Sequence, residues 1–332
     1  MKLKLTLPVL MLAASSAAVA ADDCGEVTIA EFSWQSAEVL AQLDALILER
    51  GFGCSVSVVA GDTVPTITSM VERGQPDIIP EAAVELLPQI AARGVEEGRI
   101  VSLGDSITEG ALEGWYIPQY LADTHPDIRT VADALAHPEL FPAPEDRSKG
   151  GILVGPQGWG GTVVSTQLFQ AFDAEAAGFI LVETGSAAGL DGAISRAYEQ
   201  QRGFLTYYWS PTSLMARYPL FRLDGGVPRD DEEWARCTTV SSCADPQPNY
   251  WVASPYLTLV TDAFQERAGA APVIDYLRAR SWDTATVSEL MVWMTDNQGT
   301  GAEGALHFLR TQPEIWTPWV PADVAERIAG TL

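Results

Sequence analysis

The spacing of apolar positions changes period repeatedly over the first eighty residues, and the changes predict alternating strands and helices. Glu26 to Phe32 reads as a short strand, and Ser36 to Arg50 carries Val39, Leu40, Leu43, Leu46 and Ile47 at helical spacing. Gly51-Phe52-Gly53 stops that helix, and Ser55 to Val59 reads as a second strand. Thr63 to Arg73 predicts another helix, closed by Gly74, and Pro76 to Pro80 a short buried strand. A strand-helix-strand-helix-strand run builds a parallel sheet with right-handed crossovers. Ligands of such sheets sit beyond the carboxyl ends of the strands. The segments to inspect are therefore Phe32-Ser33-Trp34-Gln35, Ile79-Pro80-Glu81 and Tyr207-Tyr208-Trp209-Ser210.

A second alternating part begins after Ile100-Val101-Ser102-Leu103 and Gly114-Trp115-Tyr116, with His137-Pro138-Glu139-Leu140 and the polar stretch Pro142 to Gly151 as loop. Ile152 to Gly155 predicts a strand, and Gly158-Trp159-Gly160-Gly161-Thr162 opens a helix through Phe172. Gly203 to Tyr208 is a buried strand, Arg222 to Pro248 a polar loop region, and Tyr250 to Val260 strand-like again. No internal repeat interrupts this order.

Residues 1 to 20 carry Lys2 and Lys4, an apolar run from Leu5 to Ala13, and a small-residue site at Ala18-Val19-Ala20. That order is what signal peptidase reads, so export and a mature start near Ala21 are expected. Cys24 lies beyond Ala21-Asp22-Asp23, which argues against a lipid anchor, and the apolar run is too short to span a bilayer. A chain of 332 residues, 47% hydrophobic and 19% charged, is globular and long enough for two domains. The formal charge of −24 argues against nucleic acid and anionic lipid as partners; it suits a cationic ligand, and equally a soluble exported surface.

Four cysteines in an exported chain favour two disulfides, for which three pairings exist. Cys24 with Cys54 would join the ends of a strand-helix-strand unit, and Cys237 with Cys243 would close a small loop. A metal site is the poorer reading, because no C-x-x-C occurs and His125, His137 and His307 are scattered. No G-x-S-x-G elbow, H-E-x-x-H or Walker loop is present, and no cofactor is expected.

Tryptophan is placed unusually. Trp34 follows the first strand, Trp115 sits in a G-W-Y turn, Trp159 is held among glycines, and Trp209 ends the Tyr207-Tyr208 strand. Indole faces are the best aromatic partners for a cation that cannot donate hydrogen bonds. Each tryptophan alone reads first as core packing, except Trp159 and Trp209, which lie at predicted strand-to-helix turns. Backbone N–H groups at Gly160-Gly161-Thr162 would attract a carboxylate at a helix N-terminus, and a cation cage beside such a turn describes a zwitterion such as a betaine. Glu81 and Glu85, if they face the cleft, would instead favour choline; their alternative role is to complement a helix dipole.

These residues resemble the glycine betaine/proline betaine/choline substrate-binding family of ABC importers. The marks are Gly158-Trp159-Gly160-Gly161, Tyr207-Tyr208-Trp209-Ser210-Pro211, Gly301-Ala302-Glu303-Gly304 and Trp316-Thr317-Pro318-Trp319-Val320. The resemblance implies an α/β, type II periplasmic-binding-protein fold: two lobes, each a mainly parallel sheet flanked by helices, closing on a ligand cleft. One lobe would comprise residues 22–114 plus 251–332 and the other 115–250. It implies Trp159 and Trp209 as box walls, the Gly160 and Gly161 amides on a ligand carboxylate, and Trp34, Trp115 or Tyr208 as further walls. It also implies a periplasmic, non-enzymatic monomer that hands a quaternary-ammonium ligand to an inner-membrane ABC permease. Where some betaine binders carry a third tryptophan and a histidine, this chain has Glu81 and Glu85, which keeps a choline-like cation as a rival ligand. An exported hydrolase using Glu81 or Asp105 is the rival from another class.

Overall fold

The computed structural model describes residues 24–332. The signal-peptide reading, its cleavage site and the Ala21-Asp22-Asp23 argument lie outside the described residues. Nine strands form one continuous sheet: β1 (Glu26–Phe32), β2 (Ser55–Gly61), β3 (Ile78–Ala82), β4 (Ile100–Pro118), β5 (Gly150–Val154), β6 (Phe179–Glu183), β7 (Leu205–Ser210), β8 (Leu220–Arg222) and β9 (Ser254–Thr261). Their order is β2-β1-β3-β9-β4-β7-β5-β6, with β8 paired to β4.

The outer pairs are parallel, as the sequence predicts: β1 with β2 and β3, and β5 with β6 and β7. The centre departs from that expectation, because β9 runs antiparallel to both β3 and β4, and β4 antiparallel to β7. The stretch read as separate segments around Ile100 and Gly114 is a single strand of 19 residues. Gly104 and Gly110, both at positive φ, look like breaks in the sequence but accompany irregularities that bend one strand without ending it. At Gly110 an added Cβ would lie 2.4 Å from the Ser254 carbonyl oxygen, so only glycine lets β4 and β9 approach there.

β4 joins two offset halves of the sheet. Residues Ile100 to Ala111 pair with β9, whereas Leu112 to Tyr116 pair with β7. The first half therefore runs toward the middle and the second half runs away from it. Because β7 is antiparallel to β4, it points back toward the same middle, and β5 follows it. The carboxyl ends of β1 and β3 thus face those of β5 and β7 across the crossover, and β9 starts there.

Local chemistry explains the flanking elements. In the helix Gln35–Ile47, Val39, Leu40, Leu43 and Ile47 are fully buried, and the chain leaves through a π turn to Gly53 in the left-handed region. The helix Thr63–Arg73 ends on Gly74 in the same conformation. Asp44 and Arg280 form a buried ion pair at 2.9 Å; Tyr276 donates to Asp44 at 2.6 Å and Arg280 donates to Thr258 at 2.8 Å. That network ties the first helix to β9. The polar stretch after Arg222, expected to be loop, contains a short helix and a π turn whose Trp234 is buried.

Cys24 is bonded to Cys54 and Cys237 to Cys243. The first bridge closes just before the register Glu26 with Ser55, at the end of the sheet opposite the crossover. The second bridge shapes a loop whose Val240 carbonyl accepts from Gln167, on the helix Gly160–Ala171. Replacing Cys24 and Cys54 together by serine is expected to lower the unfolding free energy by about 3 kcal/mol in a denaturant titration, with ligand affinity unchanged because the bridge lies at the far end of the strands.

Candidate functional site

At the crossover the facing strand ends line a half-open space of about 20 Å³, bounded by Trp34, Thr63, Ala83, Leu86, Trp159, Gly161, Tyr207, Trp209 and Tyr256. The first half of the sheet supplies Trp34 after β1, Thr63 after β2, Ala83 after β3 and Tyr256 from β9. The second half supplies Trp159 and Gly161 after β5, and Tyr207 and Trp209 from β7.

Three indoles meet as perpendicular walls. Trp159 stands at 89° to Trp34 with centroids 5.9 Å apart, and at 87° to Trp209 with centroids 5.2 Å apart. All three are nearly buried. Two of the ring N–H groups are tied outward. Trp34 Nε1 donates to Glu81 at 2.6 Å, and Trp159 Nε1 donates to Ser33 Oγ at 2.9 Å and Asp62 at 3.1 Å. Glycine makes the packing possible: a Cβ at Gly155 would lie 2.4 Å from the Trp159 ring, and one at Gly161 would lie 2.1 Å from the Tyr207 ring and hydroxyl. Gly161 is in the first turn of the helix Gly160–Ala171, where amides have no intrahelical acceptor.

Polar contacts bridge the two halves around this space. The Val64 amide donates to the Gly158 carbonyl at 3.1 Å, and Trp234 Nε1 donates to the Glu85 carbonyl at 2.6 Å. Ser213, Gln35 and Thr295 form a hydrogen-bonded cluster, and Arg217 pairs with Asp296. On the far side of Trp34 and Trp209 lies a second, more polar space of about 210 Å³, whose lining includes Glu38, Asp191, Tyr208 and Thr212. No lysine, arginine or histidine lines either space.

Two buried carboxyl groups stand behind the aromatic walls. Glu81, 1% exposed, accepts from Trp34 and from Ser36 Oγ at 2.8 Å. Burial pushes its carboxyl up to about 7, against the opposing pull of those hydrogen bonds and of Arg280. Glu113, also 1% exposed, accepts from the Tyr207 hydroxyl at 2.7 Å. Burial pushes it up to about 7 as well, against the Tyr207 hydrogen bond and Arg222. The second oxygen of each, Glu81 Oε2 and Glu113 Oε1, is buried without a hydrogen-bond partner.

The residues singled out in the sequence are distributed unevenly. Trp34, Trp159, Trp209 and Gly161 line the small space together, and Gly160 sits beside it against Leu86. Glu81 belongs to β3 itself and reaches the space only through Trp34, whereas Glu85 lies in the following turn, 3.7 Å from Arg229. Trp115 does not reach the space and is no wall of it. It is fully buried, donates to Ser165 Oγ at 3.2 Å and packs against Phe172 and Trp251. It pairs with Tyr207 in the β4–β7 register, but its ring is held in the core by those contacts. Tyr208 faces the other side of β7, where its hydroxyl donates to Asp191 at 2.7 Å and its ring lines the larger space. Tyr207 takes the wall instead, because residues two apart share a face of a strand and Trp209 fixes which face that is. That period was legible in the sequence. Tyr256, Thr63, Ala83 and Leu86 carried no such signal. Asp105 is exposed on β4, outside both spaces. Among the described residues, no group of three or more metal-ligating side chains occurs.

A family model described as the substrate-binding domain of the ABC-type glycine betaine transport system matches residues 25–311. Solved structures share the fold at low identity. A glycine betaine/L-proline-binding protein (ProX) from Borrelia burgdorferi is 16% identical with a TM-score of 0.69, covering 91% of this chain and 99% of its own. The lactococcal OpuAC, solved closed with glycine betaine, is 17% identical with a TM-score of 0.67, covering 90% and 100%. A choline-binding ABC-transporter protein solved with choline is 18% identical with a TM-score of 0.72, covering 93% and 98%.

Two outcomes follow from this geometry. Gly161→Ala is expected to displace Tyr207 and cost several degrees of melting temperature, read by differential scanning fluorimetry. For Glu81, a carboxyl whose folded value is raised adds stability that is complete below its unfolded value and is lost as pH rises through about 7. Glu81→Gln is therefore expected to gain melting temperature relative to the wild type as ligand-free protein is taken from about pH 5 to pH 8; a constant difference would show that the carboxyl does not titrate there.

Proposed function

The chain belongs to the family of substrate-binding domains of ABC-type glycine betaine transport systems, and from that premise we propose that its aromatic cavity holds the methylated ammonium head of a quaternary-ammonium solute. The observation that carries this reading is the set of three indole walls drawn from both halves of the sheet, with Trp159 perpendicular to both Trp34 and Trp209. A quaternary ammonium cannot donate a hydrogen bond, so electron-rich faces at right angles are its natural solvation shell in a dry site.

The polar bridges around the cavity support a hinged receptor. The chain passes between the sheet halves at β4 and again at Tyr250 to Ser254, close to the proposed lobe limits of 22–114 plus 251–332 and 115–250. Trp34 belongs to one lobe, and Trp159 and Trp209 to the other. A ligand between them adds contacts that only the closed form can make, and this differential binding is what draws the lobes together. The closed protein would present both lobes to a membrane permease, acting as a periplasmic monomer after signal-peptide removal. No helix among the described residues is long and apolar enough to cross a membrane.

Choline is the second reading, favoured over a betaine by one observation: the cavity has acidic groups behind it and no basic side chain to meet a ligand carboxylate. The Gly160-Gly161 turn is the feature that favours a betaine. Melting curves with glycine betaine, proline betaine, choline, carnitine and trimethylamine N-oxide decide between them. A cognate ligand at one hundred times its Kd is expected to add about 2.7 kcal/mol. Trp159→Ala and Trp34→Ala should each weaken it about tenfold or more. A flat response to every one of these solutes removes the reading.

A further inference from the structure

Glu81 and Glu113 are not explained by solute capture as described so far. Both are buried, both hold an aromatic wall by its polar edge, and both leave an oxygen without a partner. Neither is neutralised by an ion pair. Arg280, whose charge bears on Glu81, is paired with Asp44 and donates to Thr258, and it makes no hydrogen bond to Glu81 although its Nη1 is unpartnered. Arg222, which bears on Glu113, donates to the main-chain carbonyls of Glu113 and Trp251 and not to the carboxylate. The remaining groups that face the pair are Trp34, Ser36 and Tyr207, which donate to it, and Tyr256 and Tyr116, which it influences electrostatically. Glu81 stands behind Trp34 and Glu113 behind Tyr207, and both of those rings line the cavity. A buried, unpaired carboxyl is costly when ionised. A cation in the cavity would be the missing counter-charge.

We propose that Glu81 and Glu113 form a proton-exchanging pair that couples capture of a cation to release of a proton, making a permanently charged, carboxylate-free ammonium such as choline the preferred substrate class. The inference rests on the quaternary-ammonium reading above and assigns the chemistry behind its walls. When the ammonium enters, it stabilises the ionised form of the carboxyl pair, and the displaced proton goes to solvent. Ionisation also strengthens the cage: a carboxylate accepting from the Trp34 N–H or the Tyr207 O–H pushes electron density into that ring, and a richer ring face holds a cation more tightly. A zwitterionic betaine brings its own negative charge and therefore exchanges less. A neutral molecule of the same shape exchanges nothing.

Calorimetry of the full mature chain in buffers of differing ionisation enthalpy counts the protons exchanged. Choline has no group that titrates near neutrality, so any proton released on its binding comes from the protein. Expected are a fractional release near neutral pH, a smaller one with glycine betaine, and none with 3,3-dimethylbutanol, the uncharged carbon analogue of choline. The choline affinity should rise about tenfold between pH 6 and pH 8. Release should fall in Glu81→Gln and in Glu113→Gln and vanish in the double variant. Infrared difference spectra of the wild type need no variant: choline should remove a protonated-carboxyl C=O band. Choline binding with a pH-independent Kd and no proton release would overturn this proposal and leave the quaternary-ammonium reading standing. Undiminished release in the double variant would also overturn it, by assigning the proton elsewhere. If none of the ammonium solutes binds, both readings fall.

Discussion

The antiparallel pairing of β4 with β7 is the constraint on which the rest of the molecule depends. A parallel sheet alone would send all its carboxyl ends to one edge, where residues from distant strands stand side by side and cannot enclose a ligand. Here one strand serves first β9 and then β7, so the two halves of the sheet point their carboxyl ends at each other. Trp34, Trp159 and Trp209 meet because of that reversal. The turn chemistry after each strand, Ser33-Trp34 on one side and Gly158-Trp159-Gly160-Gly161 on the other, only places an indole at the tip.

Once the tips meet, polar bonding around the rings decides how they stand. An indole buried by its face alone is free to turn; one whose N–H is tied to a carboxylate or a hydroxyl is not. Trp34 is oriented by Glu81, and Trp159 by Ser33 and Asp62 from the other half of the sheet. The second of these bonds spans the crossover, so the same interaction that aims a wall also joins the halves. The cost is carried by the acids: carboxyls that orient rings from inside the core lose hydration, and burial raises Glu81 and Glu113 alike. Orientation of the cage and the electrostatics of its lining therefore come from the same side chains.

The two disulfides divide the work of support. The Cys24–Cys54 bridge fixes the far ends of β1 and β2, and the Cys237–Cys243 bridge shapes a loop laid against the helix that begins at Gly160. Neither contributes an atom to the lining of the cavity. Rigidity is thus placed behind the strands, while the faces that approach one another across the crossover are joined by hydrogen bonds and by the ion pairs Arg217–Asp296 and Arg229–Glu85, which can part and re-form.

Local sequence determined what local physics controls. Helical spacing from Val39 to Ile47, the left-handed glycines at Gly53 and Gly74, the parallel unit at residues 26–73 and the position of Trp34, Trp159 and Trp209 at strand ends were all legible, because each depends on neighbours within a few residues. Pairings between distant strands were not. Whether Trp115 faces a ligand or the core, and that Tyr256 arrives from a strand far along the chain, are set by register, and register is fixed by hydrogen bonds between segments distant in the chain. The same holds for Glu81: its sequence neighbours place it near a strand end, but only the packing of Trp34 and Ser36 over it turned its carboxyl inward and out of reach of water.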